Sequence, residues 1–129
     1  MPHPRWAEAI GQARVTEAWH GRDMDRDMEV VVLTFSYPGE PPGIVVVIMY
    51  LTPEPWIHHT MIRQEVEPTL GRIRADRELG VISVPVTEAF GIVRRALAGV
   101  DAMPDPPIST DFACDRAFLT ALLRRGAPD

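Results

Sequence analysis

The sequence predicts an α+β fold, in which a small mixed sheet built on an antiparallel hairpin is packed by four helices. Two runs rich in β-branched and aromatic residues, at about 28–37 and 43–52, predict the strands of the hairpin. The segment between them, Pro38 to Pro42, is too short for a parallel crossover, so the two strands pair antiparallel. Helical spacing of apolar residues in four other stretches supplies the helices.

In chain order, the first predicted helix spans residues 4–20 and is capped by Gly21. The hairpin follows it. Residues 60–76 then carry apolar side chains at the helical spacing, but Pro68 and Gly71 fall inside that stretch. A proline inside a helix removes a hydrogen bond and displaces a carbonyl group, so we expect a kink or two short helices there.

A short third strand is predicted at about 79–84, after the helix that follows the hairpin. If this strand lies parallel to the second strand, the helix between them forms a right-handed crossover and the sheet is mixed. A helix that opens near Pro85 and a last helix from about Thr110 complete the pattern. Because no repeats or low-complexity segments occur, residues 1–129 are expected to form one globular domain.

The second strand of the hairpin carries large apolar or aromatic side chains on both of its faces. Each side chain of this kind contributes roughly 1.5–3 kcal/mol when it is buried. Both faces therefore need a cover, which helices or a second protein chain can provide. The residues predicted to contact such a partner are Val47 and Tyr50 on the strand and Trp56 in the proline-rich loop that follows it.

The composition excludes several kinds of chemistry. The 129 residues include no lysine and no asparagine, and all 13 basic residues are arginine. P-loop phosphate binding, Schiff-base chemistry and protein-kinase phosphotransfer each require at least one of these missing residue types. The missing types have A-rich codons, which indicates a GC-rich bacterial genome.

Charge and hydropathy favour a soluble protein of the cytoplasm. The net charge is −5 and the arginines are scattered, so nucleic-acid binding is not predicted. The longest apolar run is too short to cross a bilayer, and the first residues lack the pattern of a secretory signal. The one cysteine, Cys114, is expected to be a small buried core thiol, with no disulfide and no cysteine-rich metal site.

The adjacent pair His58 and His59 is the leading candidate for a catalytic or metal-binding site. Histidine titrates near neutral pH and binds zinc or iron, and Glu65 or Glu67 would be the carboxylate partner. Neighbouring side chains of an extended segment point in opposite directions, so only one histidine faces a given site unless a special turn intervenes. The structural alternative places one histidine in solvent and packs the other on Trp56 or at a helix cap.

The acidic segment with Asp23, Asp25 and Asp27 has the alternating carboxylates with which a calcium-binding loop begins. Met28 stands where such a loop needs glycine, and Thr34 stands where it needs a closing glutamate. We therefore interpret the three aspartates as a solvated turn before the first hairpin strand. A calcium-tuned module is the weaker alternative.

Taken together, these features do not identify an enzyme, since no serine lies in a nucleophile-elbow motif and no glycine-rich phosphate loop occurs. We predict a small non-enzymatic interaction protein, of the accessory, immunity or adaptor kind. It would bury an apolar sheet face or the Trp56 loop against a partner protein or a second copy of itself. The alternative is a small metal- or ligand-binding enzyme with a pocket at the end of the hairpin, formed by His58 or His59 and a carboxylate. No cofactor is predicted.

Overall fold

The computed structural model describes residues 13–36 and 38–125. Within these residues the chain forms five strands and three helices, which follow in order as β1 (Arg14–Asp23), β2 (Met28–Ser36), β3 (Gly43–Tyr50), β4 (Trp56–Arg63), α1 (Val66–Arg74), β5 (Ile82–Val84), α2 (Val86–Ala102) and α3 (Thr110–Arg125).

The sheet is antiparallel throughout, with the strand order β4-β3-β2-β1-β5. The predicted hairpin is confirmed as β2 and β3, in which Val31 pairs with Val47. A strand is also present within the stretch predicted at 79–84, but β5 pairs antiparallel with β1 at the far edge of the sheet. The prediction of a mixed sheet with a possible parallel crossover is therefore wrong, because β5 lies beside β1 and not beside β3.

The first predicted helix is wrong over residues 14–20, which belong to β1. The alternation expected of a strand is interrupted there, because the pairing with β2 steps from Val15 opposite Phe35 to Glu17 opposite Thr34. This bulge shifts the side-chain pattern by one residue and hides the strand period of two. The remainder of that helix, residues 4–12, lies outside the described residues, so three of the four predicted helices are present in the described part of the chain.

The predicted helix over residues 60–76 is also too long. Strand β4 occupies its first residues, and the helix α1 begins only at Val66. The expected kink is absent, because Pro68 falls in the first turn, where a helix has no hydrogen bond for the missing N–H to lose. Gly71 lies on the exposed side of this single continuous helix.

Both faces of the sheet are covered by helices of the chain itself. On one side, here called the α2/α3 face, Val47 packs in a large core with Phe90 of α2 and Leu119 of α3. On the opposite side, the α1 face, Val46 packs in a smaller core with Leu70 of α1. The cover that the apolar strand β3 requires is thus internal, and the strand does not depend on a second chain to bury either face.

Candidate functional site

A histidine lies beside a carboxylate at two places in the sheet, one on the edge strand β4 and one on β1, next to the other edge strand. At the β4 edge, a bulge brings the two predicted histidines together. His58 is the extra residue of this bulge, because the pairing steps from Ile48 opposite His59 to Met49 opposite Ile57. The ring centroids of His58 and His59 lie 6.4 Å apart. The bulge is thus a local irregularity of the kind that two neighbouring histidines need in order to approach one site.

His59 contacts two side chains at the start of α3. Its Nδ1 lies 2.8 Å from Ser109 Oγ, and its Nε2 lies 3.8 Å from Asp111 Oδ2. Ser109 caps the helix, because its Oγ accepts a hydrogen bond from the Phe112 backbone N–H at 3.0 Å. The Ser109 backbone N–H donates to the His58 carbonyl at 2.9 Å, so the same segment is held to β4 by its main chain as well.

The hydrogen bond between His59 and Ser109 fits two tautomers of the ring. The Ser109 hydroxyl accepts from the helix, and it still has one proton to donate and a second lone pair with which to accept. In the tautomer that accepts from Ser109 at Nδ1, the ring carries its proton on Nε2, which faces Asp111. Nucleophile, base and carboxylate in this order can activate a hydroxyl group for attack. The coupling to the carboxylate is weak, because 3.8 Å exceeds hydrogen-bond length and Asp111 is 65% exposed.

The carboxylates that the sequence suggested for this site lie elsewhere. Glu65 and Glu67 are exposed at the start of α1, past the end of β4 that is farther from the histidines. Within residues 13–36 and 38–125, no group of three or more histidine, cysteine, aspartate or glutamate side chains is arranged to hold a metal ion. The carboxylate that approaches His59 belongs to α3, a long way along the chain, and only the tertiary fold brings it there.

The residues predicted to contact a partner lie largely inside the molecule. Val47 is fully buried and Trp56 is 7% exposed, and both belong to the core of the α2/α3 face. Trp56 Nε1 donates to the Thr52 carbonyl at 3.0 Å, and its ring centroid lies 5.2 Å from that of the partly buried Tyr50. Trp56 therefore closes the core at the start of β4 and holds the preceding loop. A cleft of about 340 Å³ lies between that loop and the end of α2.

The three aspartates of the acidic turn diverge. Asp23 pairs with Arg26, which also donates two hydrogen bonds of 3.0 Å to Asp76. These hydrogen bonds from Arg26 hold the pKa of Asp23 and the pKa of Asp76 below their usual range. Asp27 accepts a hydroxyl hydrogen bond of 2.6 Å from the β3–β4 loop, whereas Asp25 is exposed. The side chains thus close the β1–β2 turn from separate directions and do not converge on one point.

Toward the opposite edge of the sheet, on the neighbouring strands β2 and β1, a buried carboxylate holds two basic side chains. Glu29 on β2 is 2% exposed. Its Oε2 lies 2.6 Å from His20 Nε2 and 2.9 Å from Arg22 Nη2, and both of these residues are on β1. His20 is 20% exposed and Arg22 is 50% exposed, so the two side chains form an outer layer over the carboxylate.

Two opposing effects, burial and the contacts with His20 and Arg22, determine the charge state of Glu29. Burial raises the pKa of Glu29, because desolvation disfavours the carboxylate form, but the hydrogen bonds and charges of His20 and Arg22 outweigh it. The net effect places the pKa of Glu29 below its ordinary value of 4.5. The ionised carboxylate can only accept, so His20 Nε2 donates the hydrogen bond between them.

Two exposed apolar side chains flank this group. Ile82 is 64% exposed and Met24 is 70% exposed. Ile82 pairs with His20 across β1 and β5, so both side chains point to the same side of the sheet. Met24 comes directly after β1, in the turn to β2. We call the surface formed by His20, Arg22, Met24 and Ile82 the edge surface.

Sequence reasoning missed these residues for one reason, which is that β1 was not recognised as a strand. On a strand, His20 and Arg22 share a face, and their alternation was the available signal. Ser109 and Asp111 carried only the signal of a helix start, and nothing local connects them to His59. The expectation for Cys114 is wrong, since this residue is exposed on α3.

No protein-family model matches the chain, and comparisons with curated proteins and with solved structures found no significant match. Among the described residues, no helix is both long and apolar enough to cross a membrane. The function is therefore argued from the sites themselves.

Proposed function

We propose that this protein is a small non-enzymatic interaction protein, of the accessory, immunity or adaptor kind, which acts in the cytoplasm of a GC-rich bacterium. Its binding surface is the edge surface, since Val47 and Trp56 lie in the core. The observation that carries the proposal is the exposure of Ile82 beside the basic side chains that Glu29 holds in place.

The edge surface has the composition of a protein interface. Arginine, methionine and large apolar side chains are enriched at interfaces, and a few well-positioned residues supply most of the binding energy. The Glu29 carboxylate fixes Arg22 in advance, so a partner does not have to order this side chain when it binds. Because Glu29 itself is buried, the surface presents the remaining donors of Arg22 to a partner together with the apolar side chain of Ile82.

A second copy of the chain is the partner that this geometry fits most completely. Strand β5 ends the sheet, and an identical strand related by a two-fold axis can pair with it antiparallel. When all three residues of β5 pair, Ser83 lies on the axis and Ile82 of one copy is opposite Val84 of the other. Because β5 has only three residues, the ladder is short, and we expect a weak dimer with a Kd on the order of 10–100 μM.

Sedimentation velocity over a concentration series tests this proposal. The wild-type protein is expected to shift from monomer to dimer across the range of about 1–500 μM. Ile82→Asp places a carboxylate opposite the apolar Val84 of the other copy and should keep the protein monomeric. The matched control is Thr87→Asp, which adds the same charge at an exposed position of α2 and should dimerise like the wild type. A wild-type protein that stays monomeric throughout contradicts self-association through this surface.

The contacts of His59 favour a second candidate function, a small hydrolase that uses Ser109 as its nucleophile. In this form the alternative enzyme keeps one of the two histidines and replaces the predicted glutamate by Asp111. His59 removes the proton from the Ser109 hydroxyl as its Oγ attacks an acyl or phosphoryl centre. The bond to the leaving group then breaks, the protonated ring gives its proton to that group, and water later hydrolyses the ester on Ser109. The competing interpretation is structural, because the same Ser109 Oγ caps α3.

Labelling with a fluorophosphonate separates the two interpretations of Ser109. The hydrolase predicts a covalent adduct on Ser109 in the wild-type protein and its loss in His59→Gln. Ser109→Asp retains the helix cap and removes the nucleophile, so it should lose the adduct while the protein stays folded. A wild-type protein without an adduct at Ser109 leaves this residue with its capping role alone.

A further inference from the structure

A third region, separate from the contacts of His59 and from the edge surface, has the features of a ligand site. A cavity of about 220 Å³ lies on the α1 face of the sheet, between the end of β4 and α1. Its lining consists of two residues of β4 and three of α1, namely Met61, Arg63, Thr69, Arg72 and Ile73. The two β4 residues alternate along the strand and share a face, and the three α1 residues share one side of the helix.

Within residues 13–36 and 38–125, Thr69 carries the buried side-chain polar atom that has no hydrogen-bond partner. Thr69 is 5% exposed, and its Oγ1 is buried without a hydrogen bond. An unsatisfied buried hydroxyl costs about 1–3 kcal/mol, so one that lies at a cavity calls for an explanation. Threonine in a helix divides between two χ1 rotamers, and a rotation between them redirects the hydroxyl.

The two arginines at the cavity are not neutralised by the fold. Arg63 donates to the carbonyl of its neighbour Ile62 at 3.0 Å, and Arg72 Nε donates to the Pro68 carbonyl at 3.4 Å. In the described part of the chain, neither guanidinium forms an ion pair with a carboxylate, although the protein as a whole is acidic. Two guanidinium groups at one small cavity create a local positive potential that attracts an anion.

We infer that this cavity binds a small organic carboxylate with a short apolar stem. The carboxylate lies between Arg63 and Arg72 and accepts a hydrogen bond from the Thr69 hydroxyl, which gives this buried group a partner. The stem contacts Met61 and Ile73, the two apolar residues of the lining. Pockets for drug-sized ligands have volumes of about 300–1,000 Å³, so a cavity of about 220 Å³ suits a ligand of a few carbon atoms.

Titration of the ¹⁵N-labelled protein with butyrate, at constant ionic strength, is the test. We expect saturable chemical-shift changes centred on Thr69 and Arg72, with a Kd in the millimolar range, about 1–10 mM. Butyramide has the same shape without the charge and should bind at least about tenfold more weakly. Inorganic phosphate has the charge without the stem and should also bind more weakly than butyrate.

Variants decide which residues form the site. Arg63→Gln and Arg72→Gln should each weaken butyrate binding by about fivefold or more, and Thr69→Val should weaken it without lowering the melting temperature of the unliganded protein. Arg74→Gln is the matched control, since it removes the same charge from α1 at a position outside the cavity, and it should leave the Kd unchanged.

Three outcomes overturn the inference. Changes that do not saturate below about 50 mM butyrate show that no site is present. Equal binding of butyramide shows that the arginines do not recognise the charge. Phosphate binding tighter than butyrate binding shows a plain anion site and removes the role of Met61 and Ile73.

Discussion

The two edges of the sheet differ in how their outer strands are protected. An edge strand exposes unpaired backbone groups to which other chains can add. At β4, the segment before α3 donates a backbone hydrogen bond to His58, and the buried Thr60 hydroxyl bonds to Asp115 of α3 at 2.9 Å. Strand β5 is protected mainly because it is short, with only three residues that expose backbone groups. Its side chain Ile82 remains exposed. The covered edge contributes stability, and the short edge is the place where we propose that a second chain binds.

The two histidines also differ in how firmly a carboxylate holds each of them. His20 lies 2.6 Å from a carboxylate that is 2% exposed, whereas His59 lies 3.8 Å from one that is 65% exposed. A buried, hydrogen-bonded pair is costly to break, and an exposed pair at this distance contributes little. Glu29 is therefore a structural anchor for the edge surface, and Asp111 leaves His59 only weakly constrained.

The largest effect on stability is expected from a larger residue at Gly99, where α2 packs closely on the chain just before β4. A Cβ atom at Gly99 of α2 would overlap the Pro55 carbonyl oxygen, so Gly99→Ala forces α2 away from β4. We expect a loss of about 3 kcal/mol in the free energy of unfolding, measured by urea denaturation. Gly91→Ala is the control on the same helix, where a Cβ meets nothing within 4 Å, and it should stabilise the protein by about 0.5–1 kcal/mol.

Glu29→Gln tests the anchor at the other edge. It removes the charge that holds His20 and Arg22, and we expect a loss of about 2–3 kcal/mol in the free energy of unfolding. The loss stays below that of a fully buried ion pair, because Arg22 is half exposed and can bind water instead. Asp111→Asn makes the matching change at the β4 edge and should cost less than about 0.5 kcal/mol. Equal losses in the two variants would contradict the contrast between the edges.

The pH dependence of stability provides an independent check on Glu29. Its pKa is lower in the folded protein than its ordinary value of 4.5, so the unfolded chain takes up a proton first as the pH falls. The stabilising contribution is complete above pH 4.5 and declines below it. The slope of unfolding free energy against pH between about 3 and 5 should be smaller in Glu29→Gln. Some slope should remain, because Asp23 and Asp76 have pKa values lowered in the same direction.

Ser109→Ala removes the cap of α3 and its contact with His59 together. A lost N-cap costs about 1 kcal/mol, which thermal unfolding at pH 7 can detect. Ser109→Asp restores a capping oxygen and should recover most of the loss. If Ser109→Asp is as unstable as Ser109→Ala, the contact with His59, and not the cap, stabilises this edge.

The smallest effect on the folded monomer is expected from the surface that we propose to bind a second chain. Ile82 is 64% exposed, so Ile82→Asp should change the unfolding free energy of the monomer by less than about 0.5 kcal/mol. The same change should abolish dimerisation. A large loss of monomer stability would place Ile82 among the structural residues and argue against its role as an interface.

The sequence predicted those elements whose pattern is regular. The runs that became β2 and β3 are unbroken and rich in β-branched residues, and α2 and α3 follow the helical period. It failed for β1 and β4, each of which contains a bulge that breaks the alternation. For the candidate site, the sequence revealed only those residues that are neighbours in the chain. His58 and His59 were found because they are adjacent in sequence, whereas Asp111 and Ser109 approach them only through the docking of α3.

The sequence by itself determined the α+β class, the central hairpin, the need to cover both faces of β3 and the absence of lysine chemistry. These properties follow from composition and from contacts between neighbouring residues. Only the tertiary structure decided that helices of the same chain provide the cover, that β5 joins the sheet at β1, and that Glu29 lies beneath His20 and Arg22. The first two of these join residues far apart in the chain, and such pairing depends on the packing of the whole core, which no local pattern encodes. Glu29 lies only nine residues from His20 and seven from Arg22, and this contact depends on the pairing of β1 with β2, which the bulge in β1 obscured.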